Sequence, residues 1–506
     1  MKIADQPTEL SFSPVNAYPP LSRSLLISLF GAALVYFVVA TYRWPLLWDG
    51  QVLHYINFLM KHGMAPYREI YDMNLPGAYL IDGWQIRLFG PGDLAWRLYD
   101  FFLLGAIIFS MIVITLPYDW LAGLMAGVLF TLFHAADGPG NAAQRDEIVT
   151  MFLLAGTAFL FQAVRKHRSW LLLLFGACMG LAISVKPTAL PFAFALILTT
   201  LYALKKEGRP IVRYVVYATV GFAIPTAVVL GFLLSRHAVG PFIEISRRLT
   251  AFYASLMPPS KLGLLLSSLP LSVFALLPIG LILAWMNRNH ATWEHWAIRI
   301  GVVFGFASYY LQNKGFKYHR YPFLAFILLW LCIEFTLAIR RRERASRALG
   351  WTGLLFASLV MLPLGIYHIH IIRYSDEYAL SLQEDLTKLG GNKLQRQVQC
   401  LDMVDGCFSA LYRLGIVQNT GFTGDTLFFA PQDAPAIEHD RQVFWQSLQT
   451  NPPKVIVLSD EWFNWPRGFD KINHWPEFAS YLNTFYIPIQ TRTFRDSAYR
   501  IYLRKE

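Results

Sequence analysis

A chain of 506 residues with 55% hydrophobic and only 15% charged residues is too apolar for a soluble protein, which carries roughly 25% charged residues. This excludes a soluble enzyme, a disordered chain and a disulfide scaffold, and leaves a polytopic α-helical membrane protein. The net charge of +11, from 44 Lys+Arg against 33 Asp+Glu, reports loop orientation and not nucleic-acid binding, because its clusters fall between apolar runs.

Residues 1–23 form a polar, Pro-containing leader. No small-residue cleavage site interrupts the first apolar run, so it reads as a retained helix and not a signal peptide. A bilayer span needs about 20 apolar residues. Eleven candidates follow, near 24–42, 97–116, 120–136, 147–164, 169–186, 188–204, 211–234, 263–285, 296–312, 321–339 and 350–372. Basic clusters follow spans four (Arg165, Lys166, Arg168), six (Lys205, Lys206, Arg209), eight (Arg288) and ten (Arg340, Arg341, Arg342, Arg344, Arg347). With eleven spans all four loops share one side, which the positive-inside rule makes cytoplasmic. The N-terminus is then cytoplasmic and the C-terminal segment outside.

Three pieces lie on that outer side: a first loop at 43–96, a second at 235–262, and a tail at 373–506. Residues 24–372 form the membrane domain. The tail has the size and composition of a small α/β domain, with an amphipathic helix at 376–390 and a buried strand from Lys454 to Ser459. Cys178 and Cys332 fall inside spans as packing residues. Cys400 and Cys407 lie in the tail, where a disulfide or two reduced thiols are both open.

The first loop opens with Trp48-Asp49-Gly50 and continues through Gly63-Met-Ala-Pro66-Tyr67-Arg68-Glu69 to Asp72 and Pro76-Gly77. Pro and Gly imply turns between short interfacial helices. Asp49 sits at the outer bilayer boundary, where ionisable groups serve function or pairing; a helix cap is the other reading. Arg145-Asp146-Glu147 opens span four. Two acids in a first turn suit the helix dipole, but Arg145 opposes it, which favours an Arg145–Asp146 pair facing a cavity. Lys186, Lys317 and Arg320, with Arg247 and Arg248 in the second loop, stand on the outer side against the topological trend. Such cations suit a phosphate; contact with anionic lipid heads is the other reading. No zinc motif, Walker loop, dinucleotide fingerprint or nucleophile elbow is present.

In this order the motifs resemble the GT-C class of membrane glycosyltransferases, nearest the family of protein O-mannosyltransferases and lipid A aminoarabinose transferases. Trp48-Asp49-Gly50 matches the acid after the first helix, Gly63-Met-Ala-Pro66-Tyr67 a Gly-x-x-Pro-Tyr stretch, and Arg145-Asp146-Glu147 the motif opening the fourth helix. Gly180-Leu-Ala-Ile-Ser-Val-Lys186-Pro187 resembles a Gly-Leu-Ala…Lys-Pro stretch, and Arg320-Tyr321-Pro322 partly matches another. Many relatives carry Asp-Glu at the first motif; here Gly50 replaces the Glu.

The resemblance implies a GT-C fold in a bacterial inner membrane, with the tail periplasmic. It implies inverting transfer of a sugar from a polyprenyl-phosphate donor to a hydroxyl acceptor. Asp49 is the expected general base, supported by Asp146 and Arg145. Lys317, Arg320 and Tyr321 are expected on the donor phosphate, helped by Lys186, Arg247 and Arg248. Tyr67, Glu69, Asp72 and Tyr253 are expected on the substrate loops, with residues 235–262 closing as a lid. The motifs specify no cofactor, and a divalent metal stays open. A transporter or flippase, or a non-catalytic receptor or assembly subunit, are the competing readings.

Overall fold

The computed structural model describes residues 18–256, 258–288, 291–431, 434–462 and 465–506. The expected leader therefore lies outside the described residues up to position 17, and helix already begins at Pro20. The membrane body runs through α1 (Pro20–Thr41), α2 (Asp49–Lys61), α3 (Pro76–Phe89), α4 (Asp93–Thr115), α5 (Trp120–Ala136), α6 (Arg145–Arg165), α7 (Leu171–Val185) and α8 (Leu190–Lys206). It continues through α9 (Ile211–Ser235), α10 (Val239–Ser255), α11 (Lys261–Ser267), α12 (Leu271–Met286), α13 (Trp293–Gln312), α14 (Tyr321–Arg340), α15 (Arg344–Phe356) and α16 (Leu362–Ile371). Proline opens α1 and α3, where its fixed φ and missing N–H cost nothing.

Each of the eleven expected apolar segments is helical. Among the described residues, seven helices are long and apolar enough to cross a bilayer, and α5 and α7 are shorter apolar helices. The span expected near 263–285 is two helices, α11 and α12, bent by 81°. The break falls at Leu269-Pro270, since proline disfavours helix at the residue before it. Polar contacts show that the helices alternate in direction. At one end Arg23 meets Asp119 at 3.0 Å and Arg165 grips Glu294 at 2.6 Å. At the other lie Asp49, Asp137, Arg145, Lys186 and Arg320.

The tail contains α17 (Glu377–Lys388), β1 (Val398–Leu401), α18 (Cys407–Leu414), α19 (Pro435–Thr450), β2 (Val455–Ser459), α20 (Pro476–Phe485), β3 (Tyr486–Thr493) and β4 (Ala498–Arg504). The sheet order is β1-β2-β4-β3, parallel between β1 and β2 and antiparallel elsewhere. Both β1 and β2 are buried along their whole length, which matches the apolar run Val455–Leu458 of β2. Cys400 on β1 is disulfide-bonded to Cys407 at the start of α18.

The tail does not hang free. One apolar core joins α2, α3 and α10 to α17, α18 and the sheet. Tyr55 of α2 donates to the Ile416 carbonyl at 3.0 Å and accepts from Gln418 N–H at 2.8 Å. Tyr71 forms a parallel bridge with Phe422, their rings stacked at 4.2 Å. The first loop is thus held between the bundle and the tail.

Candidate functional site

Asp49 is the first residue of α2. The chain reaches it through Trp48, which has a φ of 52°. That turn lays the Trp48 ring against Gly140, where a Cβ would come within 2.2 Å of it. Asp49 therefore faces the connector between α5 and α6. The Arg145 guanidinium donates to Asp49 Oδ2 at 2.6 Å, and the Tyr318 hydroxyl lies 3.5 Å from the same oxygen. The Asp49 side chain stays 23% exposed, so a substrate has access to it.

The expected Arg145–Asp146 pair is not formed. Adjacent helical residues point about 100° apart, so Arg145 turns to Asp49 while Asp146 turns into the bundle. There Lys186 Nζ donates to Asp146 Oδ2 at 2.5 Å and to Gln312 Oε1 at 2.6 Å. The His319 ring lies 4.0 Å from Asp146. Lys186 precedes Pro187 and ends α7 in extended backbone, which carries its side chain across to α6.

The turn of Lys317–Arg320 supplies the remaining cations. Arg320 binds Asp137 Oδ1 at 2.7 Å and the Ser267 carbonyl at 3.1 Å. Lys317 is exposed and stands 3.8 Å from Asp137. Lys314, in the same connector, donates to the Leu256 carbonyl and sits 4.4 Å from the centre of the Tyr253 ring. Burial pulls the Lys314 ammonium down to about 8. Burial, and then the Asp49 carboxylate, push the Tyr253 hydroxyl above its ordinary range. Four cations (Arg145, Lys186, Lys317, Arg320) thus pair with three carboxylates (Asp49, Asp137, Asp146), and Lys314 stands nearby against Tyr253. The surplus is positive, as an anion would require.

Other expected residues are placed elsewhere. Tyr321 is fully buried, with its ring 5.3 Å from His134 and 5.6 Å from Phe130, because it points into the bundle from the first turn of α14. Arg248 binds Asp440 of α19, and Arg247 is exposed; on amphipathic α10 these neighbours face the tail and solvent. Tyr67 donates to the Asn74 carbonyl at 2.5 Å, and Asp72 accepts from the Tyr79 hydroxyl at 2.6 Å. Glu69 accepts from Ala65 N–H at 2.6 Å and pairs with Arg68. These three hold the shape of the first loop. Asp137, Gln312, Lys314, Tyr318 and His319 were not among the expected site residues. Tyr318 and His319 lie between two of the expected cations, Lys317 and Arg320, and Asp137 begins the connector that carries Arg145.

Gly50 has a steric reason. A Cβ there would lie 2.7 Å from both the Leu46 and Trp96 side chains. The space that a second carboxylate would need is filled.

Residues 76–233 match the model of the dolichyl-phosphate-mannose-protein mannosyltransferase family. That stretch includes Arg145, Asp146 and Lys186 and leaves out Asp49. No curated protein matches the chain by sequence. Among solved structures, it is similar to ArnT from Cupriavidus metallidurans bound to undecaprenyl phosphate, at 12% identity and a TM-score of 0.54, over 95% of this chain and 98% of that one. It is also similar to the oligosaccharyltransferase AglB from Archaeoglobus fulgidus in complex with an inhibitory peptide and a dolichol-phosphate, at 10% identity and a TM-score of 0.56, over 88% of this chain and 70% of that one. With its multi-pass body and its sheet-bearing tail, the chain has the GT-C fold of membrane glycosyltransferases.

Proposed function

We propose that this protein transfers a sugar from a polyprenyl-phosphate donor to a hydroxyl acceptor, with inversion, at the periplasmic face of a bacterial inner membrane. The observation that carries the reading is an accessible carboxylate, Asp49, in a cluster where four cations meet three carboxylates. The solved relatives that hold undecaprenyl phosphate and dolichol-phosphate lend support. So does the family match over residues 76–233.

Asp49 takes the acceptor's hydroxyl proton as its oxygen attacks the anomeric carbon. The new carbon–oxygen bond forms as the bond from that carbon to the phosphate oxygen breaks. The electron pair leaves with polyprenyl phosphate, whose growing negative charge meets Lys186, Lys314, Lys317 and Arg320. Arg145 keeps the Asp49 carboxylate oriented. Arg145 holds one Asp49 oxygen, Lys186 holds one oxygen of Asp146, and Gly50 supplies no second carboxylate beside Asp49. The basic loops after spans four, six, eight and ten support a periplasmic site.

The test is transfer from polyprenyl-phosphate sugars to hydroxyl acceptors by the full chain in liposomes. Replacing Asp49→Asn should lower kcat by about a thousandfold, within the usual contribution of a general base. Wild-type activity in that variant would remove Asp49 from the role, and no transfer from any donor by the unmodified protein would remove the function.

A further inference from the structure

Behind Arg145 lies a second charged cluster that the transfer step does not use. Asp100 of α4, His134 of α5 and Glu147 of α6 are fully buried, as is Arg97. Arg97 binds Asp100 Oδ2 at 2.7 Å and donates to Thr41 at 2.8 Å, with the rings of Trp44 and Phe101 packed over it. His134 lies between the carboxylates, with Nε2 3.3 Å from Asp100 Oδ1 and Nδ1 3.7 Å from Glu147 Oε2. Both carboxylates accept the same backbone N–H, that of Ala143, at 2.7 and 2.8 Å.

Ala143 has a φ of 50°, a left-handed conformation that costs an L-residue about 1 kcal/mol or more unless its surroundings hold it. Two residues later comes Arg145, and then Asp146. The turn at Ala143 therefore sets where both side chains begin. Two buried carboxylates drawn onto one amide, each facing the same imidazole, form a rigid anchor from three helices. The purely structural alternative, a packing cluster independent of the site, does not explain why both acids converge on this one strained amide.

We infer that Asp100, His134 and Glu147 are positioning residues: through the Ala143 amide they fix the turn that brings the Arg145 guanidinium to Asp49. The kinetic part of the test rests on the transfer reading; the structural part does not.

In a structure of the full-length Glu147→Ala protein in a lipid nanodisc, the Arg145–Asp49 distance should exceed 4 Å with the helices unmoved. Arg145 remaining within 3 Å of Asp49 would overturn the inference whatever the enzyme transfers. So would a divalent ion bound by Asp100, His134 and Glu147 in the unmodified protein, since the ion would then set the turn. In the sugar-transfer assay, Glu147→Ala should lower kcat about tenfold or more, the scale of a small misplacement at a reacting centre, with donor KM changed less than twofold. Glu147→Gln keeps an oxygen for the Ala143 amide and should recover most of the loss. In an Arg145→Ala background, Glu147→Ala should cost less than twofold more, because residues acting through one another are not additive. A full tenfold loss in that background would overturn the inference. If Glu147→Ala does not fold, Glu147→Met, which fills the space but offers the Ala143 amide no oxygen, serves in the same double-variant comparison, and additivity there has the same consequence.

Discussion

The two ends of the helix bundle hold charge in different ways. At the end where α6 finishes, Arg165 is fully matched: two bonds to Glu294 at 2.6 and 2.8 Å, and the carbonyls of Val113 and Ile114 at 3.0 and 2.8 Å. At the end where α6 begins, Arg145 shares Asp49 with Tyr318, the Asp49 carboxylate is partly open, and four cations meet three acids. One helix thus carries a closed arginine pair at its finish and an accessible one at its start. Closed pairs join elements; an open, unbalanced cluster has capacity left for a ligand.

The largest expected effect separates these two arginines. Arg165→Ala leaves the mostly buried Glu294 without its partner and should lower unfolding stability by about 3 kcal/mol, read by denaturation in detergent, with kcat unchanged. Arg145→Ala should do the reverse, lowering kcat about a hundredfold while the thermal midpoint moves little. Equal effects of both on kcat would dissolve the contrast. Next comes the tail, which holds the first loop in place. Replacing Cys400 and Cys407 by Ala opens a short loop and should cost about 2–3 kcal/mol, again read by denaturation. Because α2 packs in the same core, activity at elevated temperature should fall with it.

The smallest effect is one of pH. The native value of about 8 for Lys314 lies below its ordinary 10.5. Between these values the unfolded chain binds the additional proton, so this group's contribution to stability rises with pH there. Donor binding runs the other way, since the ammonium is lost as pH rises through about 8. Donor KM should rise severalfold between pH 7 and 9, by up to about 1 kcal/mol of binding. Lys314→Arg, which stays charged, should flatten the profile. A donor KM with the same pH profile in both proteins would take Lys314 off the phosphate.

Much of the body was legible from sequence because hydropathy is a local property. A run such as Ile211–Ser235 declares a helix by composition alone, and the Lys454–Ser459 run declares the buried strand β2. Asp49 stood out because a carboxylate at a bilayer boundary demands a reason. The pairing was not legible. Arg145 and Asp146 are neighbours in sequence, yet the helical turn sends one to Asp49 and the other to Lys186, 40 positions away. Tyr321 looked equivalent to Arg320, but one further step into α14 turns it inward.

The sequence by itself therefore determined where the apolar segments lie, the strand and amphipathic helix of the tail, and which few charges sit at helix ends. Those depend on periodicity and composition within about 20 residues. Only the tertiary structure decided which cation meets which acid, why Gly50 cannot be a carboxylate beside Trp96, that Asp100, His134 and Glu147 converge on the Ala143 amide, and that the tail and first loop share one core. Each of these is a contact between residues far apart in the chain, chosen by the rotation of helices against one another, and no local pattern records that rotation.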